Sequence, residues 1–302
     1  MRPRLLAGVL LAATLALTAC AGPSEQDSAA SPTCPDGELR MGVVPFEDPA
    51  VLVPAAEVLG DALERRLGCP VAVEVPQDYA AQVLAMRNDE LDLGIFGPLG
   101  YVFAEQRAQA EAVASFGTAD GRLSSYTAGI WVPRDSDITS VEQLRGRDLA
   151  LGAVGSTSGD ALPRQALLDA GLAEGDVRVD YAGGHPEALL ALTNGHVDAA
   201  QINSQQLATA TESGTFDPEL FRQVWTSAPI PTDPVTVRGS LDPQVKAALT
   251  DALLNLDAQA VGEVGALLDV SPPGQLVPVD HTTYAPLVEL AAKLGLTEKD
   301  VE

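Results

Sequence analysis

Across residues 39–260, short apolar runs alternate with stretches in which apolar positions recur every three or four residues, the two patterns that mark strands and amphipathic helices. Leu39–Val44 is the first run. After it, Leu52, Ala56, Leu59, Leu63 and Leu67 fall on one helical face and Glu57, Asp61, Glu64 and Arg65 largely on the other, with Gly68 closing the helix. The spacing then predicts a strand at Val71–Val75, a helix at Ala80–Arg87, a strand at Leu91–Ile95, a turn at Gly97-Pro98-Leu99-Gly100 and a helix at Tyr101–Ala108.

The rhythm restarts after a strand at Thr127–Val132. Asp148–Leu151 leads into Gly155-Ser156-Thr157-Ser158-Gly159 and a helix to about Ala170. Arg178–Tyr181 leads into a helix at Pro186–Thr193, and Val197–Ile202 into one at Ser204–Ser213. Asp233–Val237 offers a further strand, and Asp242-Pro243 opens a helix carrying Val245, Leu249, Leu253 and Leu256. Alternation with short connections predicts an α/β protein of two lobes, each a mostly parallel sheet flanked by helices. The late strand reads as a return to the first lobe, so the chain crosses twice and forms a two-strand hinge. These crossings give lobe 1 as residues 34–129 and 234–302, and lobe 2 as residues 130–233.

The N-terminus follows another logic. Arg2 and Arg4 precede an apolar run from Leu5 to Leu17, too short to span a bilayer but right for a secretory leader. Leu17-Thr18-Ala19-Cys20 resembles the lipobox of bacterial lipoproteins, which implies a signal peptide over 1–19 and lipidation of Cys20. An ordinary leader with a chance cysteine is the alternative. Residues 20–33 read as a flexible linker. The expected place is therefore the outer face of the bacterial cytoplasmic membrane, periplasmic if there are two membranes. Cys34 and Cys69 each precede a strand, so parallel neighbours would set them at one sheet edge, and an oxidising compartment favours a disulfide. Closing that loop would contribute roughly 3.5–4 kcal/mol in the chain-entropy model. Two free buried thiols are the other possibility.

Charge narrows the partners. The 302 residues hold 42 acidic and 18 basic side chains, a formal charge of −24 that becomes −26 once Arg2 and Arg4 leave with the leader. A phosphate-backbone binder needs basic surface, so nucleic acid is excluded. At 46% hydrophobic and 20% charged, the chain can build an ordinary core.

The Gly155–Gly159 loop places three hydroxyls and free backbone N–H groups at a helix N-terminus, which suits a tetrahedral oxyanion. By itself it also fits a serine-capped helix without a ligand. It lacks the lysine of a phosphate-binding loop, and its serines do not follow the G-x-S-x-G spacing of hydrolases. His185 follows Gly183-Gly184 at the carboxyl edge of the same sheet, where ligands of open α/β sheets bind; His196 and His281 read as surface residues. Without HExxH or CxxC, neither a metal nor a cofactor is expected. Extracytoplasmic hydrolysis, with His185 as base and a loop serine as nucleophile, is the rival chemistry.

Taken in order, several stretches resemble the phosphate/phosphite/phosphonate-binding proteins that deliver ligand to ABC importers. They are Asp78-Tyr79-Ala80 with Ala85-Met86-Arg87, Leu91-Asp92-Leu93-Gly94 with Phe96-Gly97-Pro98-Leu99, and Ala119-Asp120-Gly121 with Tyr126. Ser156-Thr157-Ser158-Gly159, Gly184-His185, Val197-Asp198-Ala199-Ala200 and Ile230-Pro231-Thr232-Asp233-Pro234-Val235 follow in the family's order. The resemblance implies a type II periplasmic binding fold and no enzyme activity. It also implies Tyr79 and Tyr126 as lobe 1 and hinge contacts, with Ser156, Thr157, Ser158 and His185 as the oxyanion grip. Asp233 matches an acid that holds the ligand's amino group in aminophosphonate binders. Where a second acid is expected, this chain has Gln205, so an ammonium group would be paired less completely. Asp233 could then accept a proton from phosphite or a monoanionic phosphonate, or simply cap the hinge before Pro234. The implied partners are a small phosphorus oxyanion, an ABC permease and, through Cys20, the membrane, with the protein acting as a monomer. Another small oxyanion or a zwitterion is the remaining ligand class.

Overall fold

The structure, a computed structural model, describes Cys34 and residues 37–296; the leader, Cys20 and the linker lie outside the described residues. The chain opens with β1 (Leu39–Val43), α1 (Pro49–Leu67), β2 (Val71–Glu74), α2 (Tyr79–Arg87), β3 (Leu93–Ile95), α3 (Pro98–Ala108) and β4 (Glu111–Thr118). β1 pairs in parallel with β2 on one side and β3 on the other. Asp48 caps α1 by accepting from Ala50 N at 2.8 Å, and Pro49 occupies its first position. The predicted face then buries Leu52, Ala56, Leu59 and Leu63 against Leu39, Met41 and Val43 of β1. Each of the three buried leucines, Leu52, Leu59 and Leu63, contributes roughly 1.5–3 kcal/mol through removal from water.

A short strand, β5 (Ser125–Tyr126), leads to the second unit. This comprises β6 (Gly129–Pro133), β7 (Asp148–Leu151), α4 (Leu162–Asp169), β8 (Arg178–Tyr181), α5 (His185–Thr193), β9 (Ala199–Gln201), α6 (Ser204–Glu212) and β10 (Phe221–Thr226). The chain returns through β11 (Ile230–Pro231), β12 (Pro234–Val237), α7 (Pro243–Leu254), α8 (Ala258–Leu267), β13 (Pro273–Pro278) and α9 (Ala285–Leu294).

Two sheets result, ordered β13-β4-β12-β3-β1-β2 and β10-β6-β9-β7-β8. They are mixed, where the alternation predicts mostly parallel sheets. β12 is antiparallel to both β3 and β4, and β13 to β4; in the second sheet β6 is antiparallel to β9 and β10, while β7 keeps parallel partners in β8 and β9. The physical reason lies in the crossings, since a strand coming back from the other lobe enters the sheet from the opposite end. Between the lobes, β5 and β11 form an antiparallel ribbon that pairs Tyr126 with Ile230.

Two features fix the first lobe around this return. Arg238, just past β12, donates from Nη2 to Asp92 Oδ1 at 2.7 Å, and the backbone N–H of Arg40 on β1 donates to Asp92 Oδ2 at 2.9 Å. A disulfide joins Cys34 to Cys69 with their Cα atoms 5.7 Å apart, at the shared edge that β1 and β2 define.

Candidate functional site

Five helices point their N-termini at one cavity between the lobes. Its walls are Phe46, Tyr79, Gly97, Tyr126, Ser156, Thr157, Ser158, His185, Asn203, Gln205 and Asp233. Tyr79 opens α2, whose cap Asp78 accepts from Ala81 N at 2.7 Å, and Gly97 is the cap of α3. The turn predicted at 97–100 is in fact the first turn of that helix, with Pro98 at its first position. A Cβ on Gly97 would lie 3.2 Å from the Tyr79 ring, a tight contact that the ring would have to yield to.

In the second lobe, Ser156 caps a π-helical turn, Thr157–Ala161, that runs directly into α4. Its Oγ accepts from Gly159 N at 3.0 Å. Asp160, wholly buried, holds the loop from behind by accepting from Gly155 N at 3.0 Å and from the Tyr181 hydroxyl at 2.7 Å. A Cβ on Gly159 would come within 2.9 Å of both His185 Cε1 and Ser156 Oγ, so only glycine lets the loop and the imidazole meet. The hydroxyls have separate surroundings. Asn203 Nδ2 donates to Ser158 Oγ at 3.0 Å, and Leu99 N, from lobe 1, donates to Thr157 Oγ1 at 2.9 Å. The N–H groups of Thr157 and Ser158 open the helix and have no acceptor within it.

His185 opens α5, with Nε2 3.2 Å from Ser156 Oγ and Nδ1 2.9 Å from the Gln201 amide nitrogen. Burial pushes its pKa down to about 4, so the ring is neutral near pH 7, and both the nitrogen and, at 3.2 Å, the oxygen of the Gln201 amide lie within reach of Nδ1. That environment disfavours the hydrolase reading. A general base must pass through imidazolium, which burial penalises here, and the third group is an amide where a hydrolase uses a carboxylate.

Tyr79 and Tyr126 are buried, and burial raises both hydroxyls well above their ordinary range, so each stays protonated and able to donate. Asp233 lies beside them. Burial raises its carboxyl pKa to about 8, opposed only by a hydrogen bond from its own backbone N–H. Gln205 reaches the cavity wall, but its Nε2 donates to Leu268 O at 3.2 Å in the other lobe.

The structure thus gathers Tyr79, Tyr126, Ser156, Thr157, Ser158, His185, Gln205 and Asp233 into one place. It adds Asn203, Gly97 and Phe46 to the wall and Gln201 behind His185. Asn203 carried a signal, as an asparagine preceding a predicted helix. His196 and His281 are exposed, as read. Among the described residues no lysine or arginine lines the cavity, no cluster of acids, cysteines and histidines could hold a metal ion, and no helix is long and apolar enough to cross a membrane.

Two α/β lobes joined by a two-strand ribbon and meeting over a polar cavity define a type II solute-binding protein. The chain belongs to the family described as "ABC transporter, phosphonate, periplasmic substrate-binding protein", whose model matches residues 41–284. It is therefore a substrate-binding component of an ABC transporter and not an enzyme. It is 27% identical over 274 residues to the phosphonates-binding periplasmic protein of Escherichia coli, covering 87% of this chain and 81% of that one. It is 26% identical over 242 residues to the phosphate-import protein PhnD of Mycolicibacterium smegmatis, covering 76% of this chain and 75% of that one. In fold it is similar to PhnD1 of Prochlorococcus marinus, solved in complex with methylphosphonate. The TM-score is 0.76 at 19% identity, covering 86% of this chain and 99% of that one.

Proposed function

We propose that this protein captures a small phosphorus oxyanion, a phosphite, phosphonate or related ion, between its lobes and presents it to an ABC permease. One observation carries the reading: five helix N-termini converge on a cavity that also offers hydroxyl, tyrosine and histidine donors and has no basic side chain. Each helix end brings a partial positive charge and unpaired N–H groups, so an anion is held without a counter-cation. The free volume is only about 10 Å³, room for about one water, so the closed cavity excludes bulky ligands and the lobes must part to admit an ion.

In this reading Ser156, Thr157, Ser158 and His185 donate to the anion from lobe 2, Tyr79 donates from lobe 1 and Tyr126 from the hinge. Asp233, neutral near pH 7, donates to a further oxygen. Phosphate, phosphonates and methylphosphonate, named for the relatives, share the PO₃ face that these donors would meet. The lobes are residues 34–129 with 234–302, and 130–233; ligand touches both only when they close, so binding shifts the population toward the closed form that a permease senses. Lipidated Cys20 and the linker over 20–33 tether a monomer outside the cytoplasmic membrane.

Ser156→Ala and His185→Ala are each expected to weaken binding by about 1–3 kcal/mol through loss of charge-assisted hydrogen bonds. Titration calorimetry against phosphite, methylphosphonate, 2-aminoethylphosphonate, phosphate and sulfate measures this, and unchanged affinity in both variants would refute the site. Sustained turnover of any bound ligand would refute the transport reading.

A further inference from the structure

We infer that Gln205 is a positioning residue: its amide ties lobe 2 to lobe 1 in the closed form and so sets how long a ligand is held, not which ligand is chosen. The inference rests on the two-lobe capture reading above. Gln205 stands in the first turn of α6, whose sheet belongs to the second unit, while Leu268 is the C-terminal cap of α8, which packs with α1 and β13 of the first. The bond between them, from Nε2 to O at 3.2 Å, therefore exists only while the two units are together, and both residues are buried where it forms.

The acceptor explains why an amide is needed. Leu268 O belongs to the end of α8, where carbonyls have no intrahelical donor and the helix carries partial negative charge. The next two N–H groups, of Asp269 and Val270, turn back to Ala266 O and Gly265 O. Leu268 O is left to accept from across the cleft. A carboxylate at position 205 would set an oxygen anion against that oxygen and against the negative end of the helix, so it could not make this bond. Amide or acid at 205 is thus a choice between holding the lobes and reading an ammonium group.

Other bonds join the two units: Tyr284 Oη and Ser115 Oγ donate to Thr232 O at the hinge, and further bonds lie away from it. Leu99 N to Thr157 Oγ1 engages a residue of the anion grip itself. The Lys293–Asp169 pair lies on the outside, with both side chains about half exposed, where solvent screening leaves little coupling. Away from the hinge, the bond from Gln205 to Leu268 is buried and ends on a residue outside the cavity wall.

Gln205→Met keeps the length and apolar stem but removes the donor, and Gln205→Glu replaces it with a repelled acceptor. Stopped-flow measurement with phosphite and with methylphosphonate should show Gln205→Met releasing both anions faster by the same factor, about three- to tenfold as one net hydrogen bond implies, with association little changed. Pulsed electron-spin distances between one label on each lobe, without ligand, should show the closed fraction falling by a similar factor. Gln205→Glu should lose hold of methylphosphonate to a similar degree while its preference for 2-aminoethylphosphonate rises. Unchanged release rates and distances in Gln205→Met, or a loss confined to one anion, would overturn the inference. If no phosphorus anion binds the wild-type chain, the capture reading fails on its own and the ligand-free distances still decide the role of Gln205.

Discussion

Asp233 and His185 are both buried at the cavity, and burial drives their proton equilibria in opposite directions. Asp233, with its pKa near 8, is a neutral acid over most of the physiological range and can donate to an anion; above that value it becomes a carboxylate facing the ligand. Affinity for a phosphorus oxyanion is therefore expected to fall as pH rises through about 8, and Asp233→Asn should flatten that fall in calorimetry between about pH 6 and 9. The same shift reaches stability. Between 3.8 and about 8 the folded chain keeps a proton that the unfolded chain has lost, so this contribution is complete at low pH and disappears as pH rises through about 8. His185 behaves oppositely: with its pKa lowered from 6.5 to about 4, its contribution is present above 6.5 and is lost as pH falls toward 4. Much of this wall was legible in the sequence, because the hydroxyl loop, the histidine after two glycines and the acid before Pro234 carry distinctive local chemistry. Phe46 and Gln201 were not, because a phenylalanine after a strand and a glutamine at a strand end have no local signature, and only the packing of separate elements brings them to the site.

The strand β12 returns from the second lobe into the middle of the first sheet, and Arg238 at its end is nearly buried against Asp92. Arg238→Ala would leave the Asp92 carboxylate buried with only the β1 backbone N–H and a 3.5 Å contact to Arg40 Nε. Loss of one partner from such a pair costs about 3–5 kcal/mol, so a urea melt should show a drop of that order, with ligand affinity at the distant cavity retained if the protein stays folded. The repeating apolar face and glycine stop of α1 were legible, and so was β8 at Arg178–Tyr181. β4 and β13 were not: β4 (EAVASFGT) is poor in β-branched residues, and β13 (PGQLVP) starts with a proline and a glycine. Both are strands because β12 and β4 supply their ladders, a long-range cause that no window of sequence contains.

The molecule as a whole is strongly acidic, with a formal charge of −24, yet the proposed ligand is an anion. The two facts act at different ranges. At physiological salt, surface charge is screened beyond about 8 Å, whereas helix ends and hydroxyls act in contact. Net charge should then slow the approach of the anion and leave its final affinity mostly alone. The association rate for phosphite is expected to rise with ionic strength in stopped-flow measurement, the reverse of a basic binding protein, and a falling rate would contradict this. The convergence of helix N-termini has a longer consequence. Because the attraction resides in peptide groups, no single substitution can delete it and no change of pH can discharge it. Descendants of this chain are free to exchange the lining side chains, and with them the preferred ion, while the underlying appetite for negative charge is inherited intact with the backbone.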